Sequence, residues 1–285
     1  MVAGACWGLL WYPLVEFEKL GLGVGLSSAI FYGVTAFCAL PGLIVTGVWR
    51  QIAKPSLPLI TMGLAFTLYT FALLLTHPFN AILLFYLTPV WSILLGKMFY
   101  GEPISLVRTL VIIMGCVGVG LVLGATSLPM PKNLGDWIAL MSGALWALGT
   151  SLASREVERN SWMRLMQFSF AGLGSTVVLA LVLSGVAPKV IAGTADTSIY
   201  VWAAAVGLLL FAIPNVLVIW GTAYLSSARV GVMLMMEVVV GTIAIALLSS
   251  QPIALIQIAG AALIFAAGIL EVISRDANAD ADLVD

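Results

Sequence analysis

The residue best placed to do chemistry is Glu237, a carboxylate inside a long apolar segment. Three methionines, Met233, Met235 and Met236, lie beside it in the sequence. An ionisable side chain is costly in an apolar environment and marks a candidate site for a substrate, an ion or a proton. Two interpretations remain open. The carboxylate binds a substrate ammonium group or a proton, or it is a protonated carboxyl that hydrogen-bonds a neighbouring helix.

Prolines and one amide lie in similar apolar segments. Asn215 follows Pro214, and a proline removes a backbone donor, kinks a helix and leaves carbonyl groups free. Asn215 is therefore a candidate for binding a substrate carboxylate or amine, with repair of the break at Pro214 as the alternative. Pro89 and Pro41 are in comparable positions, where kinking or hinging is favoured over direct contact with a ligand.

Aromatic side chains accompany these groups. Several lie deep in apolar segments, away from the interfaces where Trp and Tyr usually collect: Trp11, Phe66, Tyr69, Tyr86, Trp146 and Trp220. Trp7 and Trp11 are four residues apart and share a helix face. Such rings, together with the flexible Met235, would line a cavity for a flat apolar side chain. Ordinary helix packing is the alternative for each residue taken singly.

The absence of certain charged residues and catalytic motifs limits the functions that the sequence could have. A zwitterionic amino acid needs no cluster of charges, whereas a phosphorylated substrate favours Arg or Lys, and none lies deep in an apolar segment. No metalloprotease, nucleophile-elbow or phosphate-loop motif occurs, so we expect neither an enzyme nor a metal or other cofactor. The cysteines lie singly in apolar runs, and a net charge of -1 indicates no nucleic-acid partner.

Composition indicates which elements position these residues. The chain has 285 residues, of which 62% are hydrophobic and 9% charged, with a mean hydropathy of +1.13. A soluble domain has about a quarter of its residues charged, so lipid must cover this surface. Runs of the length needed to cross a bilayer, about 20 apolar residues, fall at 2–15, 24–48, 57–76, 79–97, 105–124, 135–154, 163–184, 203–223, 228–248 and 253–273. The sequence therefore predicts an all-α integral membrane protein with about ten transmembrane helices.

Basic residues predict the orientation, because short cytoplasmic loops retain Lys and Arg. With the N-terminus inside, nine of the 12 basic residues lie at cytoplasmic ends: Arg50, Lys54, Lys97, Arg108, Arg155, Arg159, Arg164, Arg229 and Arg275. Lys19, Lys132 and Lys189 remain outside. We expect both termini in the cytoplasm, with residues 274–285 forming a polar, acidic and disordered tail.

The two halves of the chain are related in sequence. Residues 101–105 (GEPIS) match residues 250–254 (SQPIA) at an offset of 149. Residues 4–7 (GACW) match residues 143–146 (GALW) at an offset of 139. The larger offset aligns Glu237 with Thr88, and Met235 with Tyr86, which would bring Tyr86 and Met235 together across a pseudo-two-fold axis.

An odd number of helices in each half requires the second half to be inserted upside down. The charges agree, because Lys97 and Arg108 on the inside correspond to the neutral Ala246 and Gln257 on the outside. We therefore predict a first five-helix repeat at 1–125 and a second, inverted repeat at 135–273. Secondary transporters are commonly built in this way, with the substrate site at the interface between the repeats.

These segments resemble a known family. Residues 80–91 (NAILLFYLTPVW), followed by Gly-Glu-Pro at 101–103, resemble the fourth helix of EamA-type members of the drug/metabolite transporter (DMT) superfamily. Trp7-Gly8 and the start of the last helix at 257–260 are also similar to that family, and the resemblance covers nearly the whole chain. The second half departs from it at Val238, which replaces Pro89, and at Gln251, which replaces the usual Glu. Within the superfamily, the aromatic-rich pattern is most similar to bacterial aromatic amino acid exporters.

The resemblance and the residues together predict a secondary transporter of the bacterial inner membrane. It would export aromatic and other neutral amino acids by alternating access, with the lipid bilayer and a small-molecule substrate as partners and a monomer as the expected state, a homodimer being the alternative. An exporter of cationic or hydrophobic drugs is the alternative function, and a membrane-embedded enzyme or assembly factor is a third. The predicted substrate-binding residues are Tyr86, Trp146, Asn215, Trp220, Glu237, Tyr69, Trp11 and Met235, with hinges or kinks at Pro89 and Pro214.

Overall fold

The computed structural model describes residues 2–48, 56–101, 104–122, 131–153, 160–185, 187–191, 193–221, 234, 236–248 and 253–281. Its helices are α1 (Val2–Leu9), α2 (Trp11–Lys19), α3 (Val24–Thr46), α4 (Leu57–Leu75), α5 (Pro78–Phe85), α6 (Thr88–Tyr100), α7 (Leu106–Val122), α8 (Leu134–Ala153), α9 (Ser161–Leu183), α10 (Thr197–Val206), α11 (Ile213–Gly221), α12 (Met236–Leu248) and α13 (Leu255–Ala281). A π-helical segment, Gly207–Ala212, joins α10 to α11, and a 3-10 turn spans Pro188–Ile191. The prediction of an all-helical chain is confirmed for these residues.

Five helical stretches in the described part of the chain are long and apolar enough to cross a membrane: Val24–Thr46, Leu57–Leu75, Pro78–Phe99, Ser161–Leu183 and Thr197–Trp220. Large apolar side chains cover their outer surfaces, including Phe37, Leu181 and the 86% exposed Val45. A water-soluble protein rarely leaves so much apolar surface uncovered. The chain therefore has the construction of an all-α membrane protein.

The first apolar run forms two helices rather than the one predicted at 2–15. α1 ends at Leu9 and α2 continues to Lys19, with Leu10 between them. Pro13 has no N–H to donate to the carbonyl of Leu9, so the regular hydrogen-bond pattern cannot run through this point. The N–H of Leu10 bonds instead to the carbonyl of Trp7, three residues back, at 3.0 Å.

The fourth run, predicted at 79–97, is also interrupted. α5 ends at Phe85 and α6 begins at Thr88, because Pro89 cannot donate to the Phe85 carbonyl. The hydroxyl of Thr88 replaces the missing donor and bonds to that carbonyl at 2.7 Å. Tyr86 lies at the interruption, directly after the last residue of α5.

Two other helix ends differ from the predicted runs. α10 begins at Thr197 rather than 203, because its first turn contains polar residues that hydropathy discounts but a helix accepts. α13 continues to Ala281, so residues 274–281 are helical where a disordered tail was predicted. Alanines at 277, 279 and 281 favour this extension.

Some residues on which the orientation and the repeats were predicted lie outside the described residues: Arg50, Lys54, Arg155, Arg159, Arg229, Glu102, Pro103, Gln251 and Pro252.

Glycines permit the closest contacts between helices. α1 packs along α12, and a Cβ atom on Gly8 would lie 2.7 Å from the carbonyl oxygen of Glu237 and 2.8 Å from the nitrogen of Gly241. α8 packs against α4 and α5, and a Cβ atom on Gly143 would lie 2.5 Å from the carbonyl oxygen of Phe85. Through these contacts the backbone of α1 lies against that of α12 at Glu237, and the backbone of α8 lies against the end of α5, next to Tyr86.

Candidate functional site

A carboxyl group and two phenol hydroxyls form the centre of the site. Glu237 lies in the first turn of α12 and is 1% exposed. Its Oε1 accepts a hydrogen bond from Tyr69 at 2.5 Å, and its Oε2 accepts one from Tyr86 at 2.9 Å. The Tyr86 hydroxyl also lies 2.8 Å from the carbonyl oxygen of Leu234. These bonds join α4, the end of α5 and α12, which are distant in sequence.

Aromatic rings surround this centre. We call Trp7, Phe66, Tyr69, Phe85 and Trp146 the aromatic cluster. Phe66 packs against Trp7 at 5.0 Å and against Tyr69 at 5.7 Å between ring centroids, and Trp146 lies 6.0 Å from both Phe66 and Phe85. Tyr69 and Phe85 are closest, at 4.7 Å. Most of the pairs meet edge to face, the arrangement that aromatic quadrupoles favour.

The electrostatic balance of the centre is unusual for a buried acid. No Lys or Arg forms an ion pair with Glu237 within the described residues. The ion pair found among those residues joins Lys19 to Glu16 in α2, at 2.8 Å. Burial of a charge is costly unless an opposite charge or several donors compensate for it. Two hydroxyl donors compensate in part, so the carboxyl is suited to hold either a proton or the cationic group of a ligand.

The structure brings together four of the predicted site residues, while two others have partners outside this group. Tyr69, Tyr86, Glu237 and Trp146 belong to the centre or the aromatic cluster. Asn215 is buried, but its amide donates to the carbonyl of Phe211 in its own helical stretch at 2.8 Å, one turn before. Trp220 is 44% exposed and packs on Trp162 at 5.1 Å.

The positions of two further predicted residues, Trp11 and Pro214, are described, and that of a third, Met235, is not. Trp11 is 4% exposed and lies one turn beyond Trp7, with its ring against Tyr12 at 5.6 Å. Pro214 is the second residue of α11, with one residue between it and the end of the π-helical segment, as a proline that disturbs regular helical bonding would be. Met235 lies outside the described residues.

Sequence reasoning did not include Trp7, Phe66 and Phe85 among the predicted site residues. A signal for Trp7 was present, because it ends the segment that matches residues 143–146 in the other half. Phe66 was marked only by its depth in an apolar segment, and Phe85 carries no signal, since a phenylalanine in an apolar run is equally compatible with the protein core and with the surface in lipid.

A second buried polar network joins α3, α4 and α9. The Tyr32 hydroxyl lies 3.0 Å from the Thr67 hydroxyl, which donates to the carbonyl of Gly172 at 3.1 Å and lies 3.5 Å from the hydroxyl of Thr176. These groups satisfy one another's hydrogen-bonding capacity, so the network cross-links α3, α4 and α9 in an apolar environment.

A buried carboxylate lies at the start of α8. Asp136 is 1% exposed, and it accepts from the Thr76 hydroxyl at 2.6 Å and from the backbone N–H of Lys132 at 3.0 Å. It fastens α8 to the turn between α4 and α5. Next to Thr76 in this turn, burial lowers the pKa of the half-buried His77.

The described residues contain no group of three or more His, Cys, Asp or Glu side chains that could hold a metal ion.

Comparison with known proteins bears on the fold. No protein-family model and no curated protein matches the chain. A solved structure described as "Crystal structure of protein" is similar over 95% of this chain and 96% of its own, with a TM-score of 0.61 and 17% sequence identity. The similarity extends over nearly the whole length of both chains and shows that this fold occurs in a crystal structure.

Proposed function

We propose that the chain is a secondary transporter that exports aromatic and other neutral amino acids by alternating access. The observation that carries the proposal is the buried carboxyl of Glu237, held by two tyrosine hydroxyls beside the aromatic cluster. A carboxylate suits an ammonium group, and edge-to-face rings suit an aromatic side chain. Phenylalanine presents both groups on one small molecule.

The proposal includes ten membrane-crossing helices in two inverted halves, at 1–125 and 135–273. Trp7 and Trp146, which end matching segments of the two halves, have ring centroids 6.5 Å apart. α3 packs on α9 and α7 packs on α13, and the members of each pair hold the same place in their respective halves. Contacts between equivalent elements are expected around a pseudo-two-fold axis, and they support this part of the proposal.

Membership of the DMT superfamily, EamA-type, is part of the same proposal. The resemblance at residues 80–91 supports it, and the Thr-Pro step in that segment is the point where α5 gives way to α6. The proposed setting is the bacterial inner membrane, with both termini in the cytoplasm and a monomer as the working unit.

Alternating access requires points at which helices bend. The described chain has three interruptions of regular α-helix: Leu10 between α1 and α2, residues 86–87 between α5 and α6, and the π-helical segment before α11. Broken helices next to the substrate site are typical of transporters, and π-helical turns are frequent at functional sites. Movement of one half against the other at these points would expose Glu237 to one side of the membrane at a time.

Departure of a substrate ammonium group leaves the Glu237 carboxylate free to take up a proton. Proton-coupled exchange and facilitated diffusion are therefore both compatible with the site. Under coupling, Glu237→Gln abolishes the pH dependence of transport, because the variant cannot exchange a proton. An unchanged pH-rate profile in that variant would exclude coupling through this residue.

An exporter of cationic drugs is the second candidate. The specific observation in its favour is that Glu237 has no basic partner among the described residues. A cationic drug without a carboxylate would therefore be enough to neutralise the charge of Glu237. Loss of cation resistance in cells that express Glu237→Gln, with amino-acid transport intact, would favour this candidate over the first.

Ligand binding to purified protein tests the proposed function. We expect phenylalanine and phenethylamine to bind the wild type, and Glu237→Gln to weaken both at least tenfold, because a charge-assisted contact is lost. Glu18→Gln is the matched control, since Glu18 is partly exposed near the end of α2. Equal affinities in wild type and Glu237→Gln would remove the observation on which the proposal rests.

A further inference from the structure

Among the described residues, three buried indole Nε1 atoms have no hydrogen-bond acceptor, those of Trp7, Trp11 and Trp91, and the first two lie one helical turn apart. Trp7 is 3% exposed and Trp11 is 4% exposed, and the Nε1 atom of each is buried without a partner. A buried tryptophan N–H normally finds an acceptor, because leaving a donor unpaired costs as much as its lost hydration. Two such donors one helical turn apart are therefore an unusual feature of this core.

These donors belong to the same hydrophobic core as Tyr69, the tyrosine that donates to Glu237. The Trp7 ring is in edge contact with Phe66, which packs on Tyr69, and Tyr69 donates to Glu237. The residue after Trp7 is Gly8, whose Cα faces the backbone carbonyl of Glu237. Trp11 follows across the interruption at Leu10, further along the same run. The unpartnered indole donors and the acid, which has no basic partner among the described residues, thus belong to one continuous region of the core.

We infer that the indole N–H of Trp7, with that of Trp11 one turn beyond, binds the carboxylate of the transported substrate while Glu237 binds its ammonium group. The inference rests on the proposed function and names the chemistry of its substrate, a zwitterionic α-amino acid. A neutral N–H donor is suited to this role, since it stabilises a carboxylate without leaving a permanent charge in the core when the site is empty.

The other partner available to Trp7 is the face of Phe66, through an N–H···π contact. That contact would give Trp7 a role in packing only. The two roles differ in a measurable way, because a packing role affects all ligands of one shape equally, whereas a carboxylate contact affects only ligands that have a carboxylate.

The test compares three ligands of similar shape: phenylalanine, phenethylamine, which lacks the carboxylate, and 3-phenylpropionate, which lacks the amine. Trp7→Phe and Trp11→Phe keep an aromatic ring and remove the N–H. We expect either variant to weaken phenylalanine and 3-phenylpropionate about tenfold more than it weakens phenethylamine. Trp137→Phe, at a 47% exposed position on α8, is the control and should change none of the three.

Retained phenethylamine binding also shows that a variant is folded, and Trp11→Phe carries the test where Trp7→Phe does not fold. Equal loss for all three ligands, or no loss for any, overturns the inference and leaves the proposed function intact. A wild type that binds phenethylamine but not phenylalanine overturns the inference in favour of the cation exporter. A wild type that binds none of the three overturns the proposed function itself, and the inference with it.

Discussion

Replacing Gly8 by alanine inserts a methyl group between α1 and α12. The new Cβ atom would lie 2.7 Å from the Glu237 carbonyl oxygen, while ordinary van der Waals contacts begin at 3.4 Å. The helices must therefore separate by about 0.7 Å. Overpacking of this kind costs about 1–3 kcal/mol, and the gain from replacing a helical glycine offsets about 0.5–1 kcal/mol of it. We expect a net loss of about 0–2.5 kcal/mol in the free energy of unfolding.

A matched variant separates this effect from the helix propensity of alanine. A Cβ atom on Gly33, inside α3, would meet nothing within 4 Å, so Gly33→Ala should raise stability by about 0.5–1 kcal/mol. Thermal unfolding of both variants in detergent, with phenylalanine binding measured in parallel, gives the comparison. An unfolding temperature for Gly8→Ala equal to or above that of Gly33→Ala would refute the close contact of α1 with α12.

Other predictions concern single groups. Tyr69→Phe removes the donor to Glu237 Oε1 and should cost about 1–3 kcal/mol in unfolding free energy and weaken phenylalanine binding; an unchanged unfolding temperature would contradict the bond. Asp136→Asn replaces one of two accepting oxygens and should lower stability by about 1–2 kcal/mol without altering ligand affinity, as unfolding and binding assays would show. Burial lowers the pKa of His77 from its ordinary 6.5, so the folded state is neutral there and loses stability as the pH falls through that value. His77→Gln should therefore show a flatter fall in unfolding temperature between about pH 7 and about pH 5, and an identical pH profile would contradict it.

Hydropathy was sufficient to predict that the described part of the chain is helical and built like a membrane protein, because lipid demands a length of apolar sequence that few other structures require. It could not predict where those helices break. The interruption at Leu10 depends on Pro13, and the one after α5 depends on Pro89, but Pro41 lies inside the uninterrupted α3. A proline gives the opportunity for a break, and the surrounding packing decides whether one forms.

The candidate site was predictable to the extent that burial of a polar group is costly. Glu237 was identified because a carboxylate in an apolar run needs partners, and Tyr69 and Tyr86 are such partners. Asn215 and Trp220 were chosen by the same argument of type and depth. Which face of a helix turns inward cannot be read from a run that is apolar on all sides, and Trp220 faces outward. Asn215 also had a backbone carbonyl within reach in its own helical stretch.

Counterflow in proteoliposomes tests the proposed transport of amino acids. Purified protein is reconstituted, unlabelled phenylalanine is enclosed, and a trace of labelled phenylalanine is added outside without any ion gradient. We expect labelled phenylalanine to accumulate transiently above the level in protein-free liposomes, and Glu237→Gln to reduce that accumulation without eliminating it. No accumulation by correctly folded wild-type protein would contradict a carrier that exchanges amino acids at Glu237.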